Sequence, residues 1–180
     1  MQTRISCGPL LTPGLGNKDT DMEILKATPE HAEEITLMND AVQKIHAEHH
    51  PELFKYPTDA SEVEGFFRNQ IAADGNSIFI ARADSRTVGY VWCTIKRKRE
   101  NPFKYGRETI YIHQISVHPE YRRKGVGRKL MEAVESLANQ KGICRLALDS
   151  WEFNGEAHAF FERLGFFCYN VNMWQQTKKE

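Results

Sequence analysis

The chain has 180 residues, 41% of them hydrophobic and 27% charged, with 24 Lys and Arg against 24 Asp and Glu. A chain of this length buries about 70% of the surface its unfolded form exposes, so it holds a core without metal or disulfide staples. Zero formal net charge argues against coating nucleic acid or an anionic membrane, which needs a net positive field, and no apolar run approaches the ~18 to 20 residues of a spanning helix. Neither nucleic acid nor membrane is expected as a partner. Cys7, Cys93, Cys144 and Cys168 stand far apart without CxxC or Cys/His zinc spacing. They read as reduced core thiols of a cytoplasmic protein, and no metal is expected.

Residues 1–21 carry three Gly and two Pro and no regular period, so they are read as an N-terminal extension outside a single domain spanning 22–177. A first strand begins at Met22. Thr28 as N-cap and Pro29 at the first helical position open a helix with apolar residues at Ala32, Ile35, Met38, Val42 and Ile45, ending near Pro51. A second helix runs from Asp59 or Ser61 through Val63, Phe66, Phe67 and Ile71 to near Gly75. Two β-rich runs, Ser77 to Ala83 and Val88 to Ile95, flank Asp84-Ser-Arg-Thr and read as an antiparallel hairpin, with Trp92 in the core.

A charged connection, Lys96 to Arg107, leads into a strand from Thr109 to Val117. It reads as a solvated basic loop, with an acidic acceptor or a ligand phosphate as the functional alternatives. The long helix from about Gly125 to Lys141 aligns Val126, Leu130, Val134, Leu137 and Ala138, and Gly142 stops it. Ile143 to Leu148 is expected as a strand, Asn154 to Leu164 as a helix ended by Gly165, and Phe166 to Gln175 as a final strand or pair of strands. This order predicts a mixed α/β sheet with helices on both faces, not a doubly wound parallel fold.

The chemistry concentrates where the strand ending at Val117 runs through His118-Pro-Glu-Tyr-Arg-Arg-Lys-Gly-Val-Gly into the long helix. A helix N-terminus directs unpaired N–H groups and a positive dipole end outward, which favours phosphate or pyrophosphate. Gly125 and Gly127 allow close backbone approach, and Arg122, Arg123, Lys124 and Arg128 add charge. Neither a Walker loop nor a dinucleotide fingerprint fits, because GxxxxGK[ST] is absent and Leu130 occupies the third glycine position. Within the strand, Ile110 and Ile112 alternate in step, whereas Ile115 and Val117 keep the alternation only if the phase slips near His113-Gln114. Such a slip is what a β-bulge produces; a strand buried on both faces is the alternative.

These residues resemble the GNAT superfamily of acyl-CoA-dependent N-acetyltransferases. The loop is similar to its Arg/Gln-x-x-Gly-x-Gly/Ala pyrophosphate motif, and Asn154-Gly-Glu-Ala-His-Ala-Phe-Phe-Glu-Arg-Leu-Gly-Phe166 is similar to its Asn-x-x-Ala…Phe-Tyr-x-x-x-Gly-Phe segment. The resemblance implies a mixed, mostly antiparallel sheet with a bulged, splayed strand pair. It implies acetyl-CoA as cosubstrate, its pantetheine beside Ile115, Ser116 and Val117 and its pyrophosphate on the amides from Arg123 through Val126 to Arg128. Asn154 matches a position that contacts the pantetheine arm, and it also suits a helix N-cap.

Acetyl transfer needs a neutral amine, which makes a base valuable. His113, at the expected bulge, is the first candidate and Glu108 the second, with a core histidine as the plain alternative for His113. Phe161 stands where many relatives carry a tyrosine that protonates the leaving thiolate, and phenylalanine donates no proton. That leaves water or a hydroxyl such as Tyr111 or Tyr169, slow turnover, or acyl-CoA binding without transfer. His46, His50, Phe54 and Tyr56 lie between the first two helices, the region the family uses for its acceptor; plain surface or core is the alternative. The acceptor expected is a small-molecule or peptide amine, and relatives leave room for a homodimer.

Overall fold

The computed structural model describes residues 22–56, 59–175 and 177, which places the expected extension 1–21 outside the described residues. Two compact units follow each other along the chain, one ending at Leu148 and one beginning at Asp149. The first holds β1 (Glu23–Lys26), α1 (Ala32–His49), α2 (Ala60–Ala72), β2 (Asn76–Ala83), β3 (Arg86–Lys98), β4 (Arg107–Val117), α3 (Val126–Lys141) and β5 (Leu146–Leu148). The sheet order is β1-β2-β3-β4-β5; the first three pairings are antiparallel and β4–β5 is parallel. The expected mixed, mostly antiparallel sheet is therefore present.

Local chemistry explains the element boundaries. Thr28 and His31 cap the entry to α1 reciprocally, with the Thr28 N–H donating to His31 Nδ1 at 3.0 Å and Pro29 opening a single 3-10 turn before the helix. Asp59 Oδ1 accepts from the Ser61 and Glu62 amides and starts α2. The β2–β3 hairpin closes in two residues, Asp84 and Ser85, both at positive φ, the backbone that matches the twist of paired strands.

Tyr90 on β3 packs its ring edge-on to Phe67 of α2 at 5.9 Å, among Ala32, Ile35, Ile78 and Ile80. Gly89, one residue earlier, faces the opposite way: a Cβ there would lie 3.0 Å from Val126 Cγ1 and 3.2 Å from Leu130 Cδ1 of α3. Helices thus cover both faces, α1 and α2 on one and α3 on the other. Phe67 is 2% exposed and also touches Phe66 and Trp92. Phe67→Ala is expected to cost about 3 to 5 kcal/mol of stability, measurable by urea unfolding.

Three expectations change. Strand β5 covers only Leu146–Leu148 rather than Ile143 to Leu148, because the Ile143 N–H bonds back to Ala138 O and completes the cap of α3 at Gly142. The second unit contains α4 (Gly155–Arg163), and residues 166–175 form no strand. Phe167, Tyr169, Val171 and Met173 alternate as a strand would, yet all four are exposed, so the pattern has no buried face and no ladder to join. Of the cysteines, Cys93 is free and buried, Cys168 is free but exposed, and Cys144 carries a disulfide, against the reading of all four as reduced core thiols; Cys7 lies outside the described residues. No helix among the described residues is long and apolar enough to cross a membrane.

Candidate active site

The register of β4 against β3 shifts where the sequence alternation slips. Trp92 pairs with Gln114 and Cys93 with Ile112, so His113 is the extra, unpaired residue of a β-bulge. The bulge turns His113 and Gln114 onto the face that also carries Trp92. Pairing with β5 stops at the same point: Ile112 opposite Leu148 is the last rung. From His113 to Val117, β4 has no paired strand on that edge among the described residues, because β5 itself ends at Leu148.

The bulge opens onto a cavity of about 650 Å³ walled by α1, the α1–α2 connection, α2, β3 and β4. His113 and Gln114 line it together with Asn39, Gln43, Phe54, Asp59, Glu62, Phe66 and Trp92. The His113 ring stacks on Trp92 with centroids 4.3 Å apart and meets Tyr111 edge-on at 4.9 Å. Burial, and then the nearby Lys96 ammonium, holds its pKa below the ordinary 6.5.

A polar chain behind the ring fixes its tautomer. Asn76 Nδ2 donates to Gln70 O and Oε1, so Asn76 Oδ1 is left to accept the Thr94 hydroxyl at 2.5 Å. Having given its proton away, Thr94 Oγ1 accepts from His113 Nε2 at 2.9 Å. The neutral imidazole thus carries its proton on Nε2 and its lone pair on Nδ1.

Beyond Val117, Tyr121 anchors the loop into α3. Its ring is buried, its hydroxyl donates to Asp84 Oδ2 at 2.7 Å, and Lys124 lies over its face. Arg123 and Gly125 both take positive φ, 61° and 85°, which turns the chain sharply into the helix. The first acceptor used inside α3 is Gly125 O, taken by the Lys129 N–H, so Val126, Gly127 and Arg128 present amides with no partner in the helix. A Cβ built on Gly125 meets nothing within 4 Å; the loop surface there is open. Open amides, a positive helix end and flanking cations suit a pyrophosphate. Arg122 donates to Val117 O and Arg128 pairs with Glu132, so both have a structural partner as well.

Other expected residues lie elsewhere. Glu108 is ion-paired with Arg97 and does not line the cavity; nor do His46, His50 and Tyr56. His46 backs the cavity through its ring contact with Phe54 at 4.9 Å, and its Nδ1 lies 2.7 Å from Val42 O. His50 pairs with Glu52. Ser116 donates to Met38 O at 3.2 Å, tying β4 to α1, and Ile115 and Val117 face α3 opposite Val91 and Gly89. Trp92, read as core, does pack against the core, and it is a cavity wall as well. In the second unit, Asn154 caps α4 by accepting the Ala157 amide, and Phe161 packs between Phe160 and Phe166. Among the described residues, no group of three or more His, Cys, Asp or Glu could hold a metal ion.

Comparison with known proteins agrees with this geometry. Residues 39–166 match the model of the acetyltransferase (GNAT) family. Aminoglycoside N(6')-acetyltransferase type 1 of Salmonella enteritidis is 28% identical over 130 residues, 69% of this chain and 88% of that protein. A tetramutant of a Bacillus halodurans protein superimposes with TM-score 0.79 at 21% identity, covering 86% of this chain and 99% of that one. Aminoglycoside N-acetyltransferase AAC(6')-Iy, solved with CoA, gives TM-score 0.71 at 20% identity, covering 92% and 100%. With the bulged strand, the amide-rich loop and the family match in agreement, the chain belongs to the acetyltransferase (GNAT) family and is an acyltransferase.

Proposed function

We propose that this enzyme transfers an acetyl group from acetyl-CoA to a primary amine of a small molecule, with His113 as the base. The observation that carries the reading is the bulge, which sets an imidazole in the cavity at the point where the edge of β4 loses its neighbour. The amides of Val126, Gly127 and Arg128, with Arg123 and Lys124, would hold the pyrophosphate, and the open edge from Ile115 to Val117 would hold the extended pantetheine. When bound, acetyl-CoA supplies a thioester carbonyl carbon that the amine nitrogen attacks, with the thiolate as leaving group. His113 Nδ1 takes the proton from the amine, directly or through a water, and Thr94 stabilises the resulting imidazolium through Nε2–H. Holding both partners in one cavity removes the entropy of their encounter.

The cavity's charge favours a cationic acceptor. Asp59 and Glu62 line it on the α2 side, with Phe54, Phe66 and Trp92 as apolar walls and Lys55 at the connection. A molecule carrying a second ammonium would place it against these carboxylates while its reacting amine lies neutral beside His113. The names of the aminoglycoside acetyltransferase relatives fit this class. Changing Asp59→Asn and Glu62→Gln together keeps an N-capping side chain on α2. It is expected to raise KM roughly tenfold for a polyamine-like acceptor and to leave a monoamine unchanged, as steady-state kinetics would show.

The test is thermal unfolding with acetyl-CoA, CoA and ATP, followed by thiol release against a panel of aminoglycosides, diamines and peptide amines. A shift with both CoA forms but not ATP, and CoA release on adding a small amine, is the expected result. Stabilisation by neither CoA form, or transfer to peptide amines alone, would overturn the reading.

A further inference from the structure

Two groups of the cavity wall, Asn39 and Gln114, and the buried Tyr90 behind them set one another's orientation by hydrogen bonds. Tyr90 is fully buried, and its phenol oxygen lies 2.6 Å from Gln114 Oε1 and 3.2 Å from Asn39 Oδ1. A phenol has one proton to give, and the shorter contact takes it. Gln114 therefore turns its carbonyl to Tyr90 and its amide nitrogen to Asn39, where Nε2 donates to Oδ1 at 2.8 Å. This pins the carbonyl of Asn39 inward. Its Nδ2 group donates to no described residue, yet the sole sealed and unpaired side-chain N or O atom among the described residues is Trp92 Nε1. Asn39 Nδ2 is therefore reachable, and the cavity is what Asn39 lines.

We infer that Asn39 Nδ2 is a hydrogen-bond donor to an oxygen of the acceptor, so that the enzyme selects amines bearing a hydroxyl or ether oxygen near the reacting nitrogen. The inference rests on the cavity being the acceptor site. Asp59 and Glu62 on the same cavity oppose a carboxylate, which leaves neutral oxygens as the partner. Gln114 adjoins His113 on the bulge, so the donor and the base address one end of the same molecule. Tyr90, buried behind the wall, is a positioning residue: with Gln114 it decides that Asn39 offers N–H rather than C=O. A site built this way penalises an analogue lacking the oxygen, because the donor is then left without an acceptor.

The experiment compares kanamycin B with dibekacin, which lacks two hydroxyls on the ring bearing the aminomethyl group. Transfer is followed by steady-state kinetics, and binding to the CoA-loaded protein by calorimetry, which needs no turnover. Wild type is expected to prefer kanamycin B roughly tenfold, through KM and Kd rather than kcat. Asn39→Leu is similar in size and carries neither donor nor acceptor, so it should erase that preference, whereas Asn39→Asp would still accept the proton of a hydroxyl. Tyr90→Phe, which keeps the ring packing, should weaken kanamycin B binding while leaving dibekacin unchanged; a merely structural role would shift both alike. Equal binding of the two probes by wild type, a preference that survives Asn39→Leu, or binding of neither at millimolar concentration overturns the inference. A hydroxyl preference in binding without any acetyl transfer would overturn the proposed function and uphold the donor role.

Discussion

Replacing Gly125 with glutamate is expected to abolish stabilisation by acetyl-CoA while the fold stands. The side chain would enter open space, since a Cβ there meets nothing within 4 Å. The backbone at φ 85° disfavours any L side chain by about 1 to 2 kcal/mol. A carboxylate at the start of α3 returns about 0.3 to 1 kcal/mol through the helix dipole. Against a bound pyrophosphate the same carboxylate is repelled: like charges about 4 Å apart near a protein surface cost about 4 kcal/mol, or roughly a thousandfold in Kd. At a hundred times the wild-type Kd, wild type gains about 2.7 kcal/mol, a Tm shift on the order of 5 to 10 °C for this size. The variant should gain almost none. Gly125→Ala carries the strain without the charge and should keep most of the shift. A full shift in Gly125→Glu would move the cofactor site away from this loop.

The loop and the bulge were legible because each leaves a one-dimensional trace. The break in alternation between Ile112 and Ile115 is the trace of the bulge at His113, and glycines at Gly125 and Gly142 mark where α3 starts and stops. The cavity leaves no such trace. Asn39 occupies a polar step of an amphipathic helix, and Trp92 an ordinary step of a strand. Gln114 and Asn39 meet although they are far apart in sequence, because α1 crosses β4. Asp59 is readable as a helix cap, and capping does not exclude facing a ligand. The histidines stand out in the sequence by residue type, but His46 on α1 turns to the backbone of the preceding turn and His50, just past its end, turns to Glu52 instead of the cavity. Residues 166–175 show the converse error. Alternation alone suggested a strand, and alternation without a buried face or a neighbouring ladder does not make one.

His113→Gln should lower kcat/KM by a factor of about 10² to 10⁴ at neutral pH and should also change the shape of the pH profile. The imidazole serves as base only when neutral. Because burial and Lys96 hold its pKa below 6.5, the wild-type rate should fall only as pH drops below that value, and the inflection should lie on the acid side of an ordinary histidine. Glutamine has no such inflection, so the limb should vanish from the variant; a limb of unchanged position would sink the assignment. Stability carries the opposite sign. The unfolded chain protonates this histidine near its ordinary pKa while the folded chain resists, so wild type loses stability as pH falls below about 6.5, and the glutamine variant should be relatively more stable there. Thr94→Val separates position from chemistry. It removes the acceptor for His113 Nε2–H, frees the tautomer that leaves Nδ1 as base, and should lower kcat roughly tenfold with the acid limb retained. If Thr94→Val left kcat untouched while His113→Gln abolished the limb, the base would act without its hydroxyl support, and the chain through Asn76 and Gln70 would be structural alone.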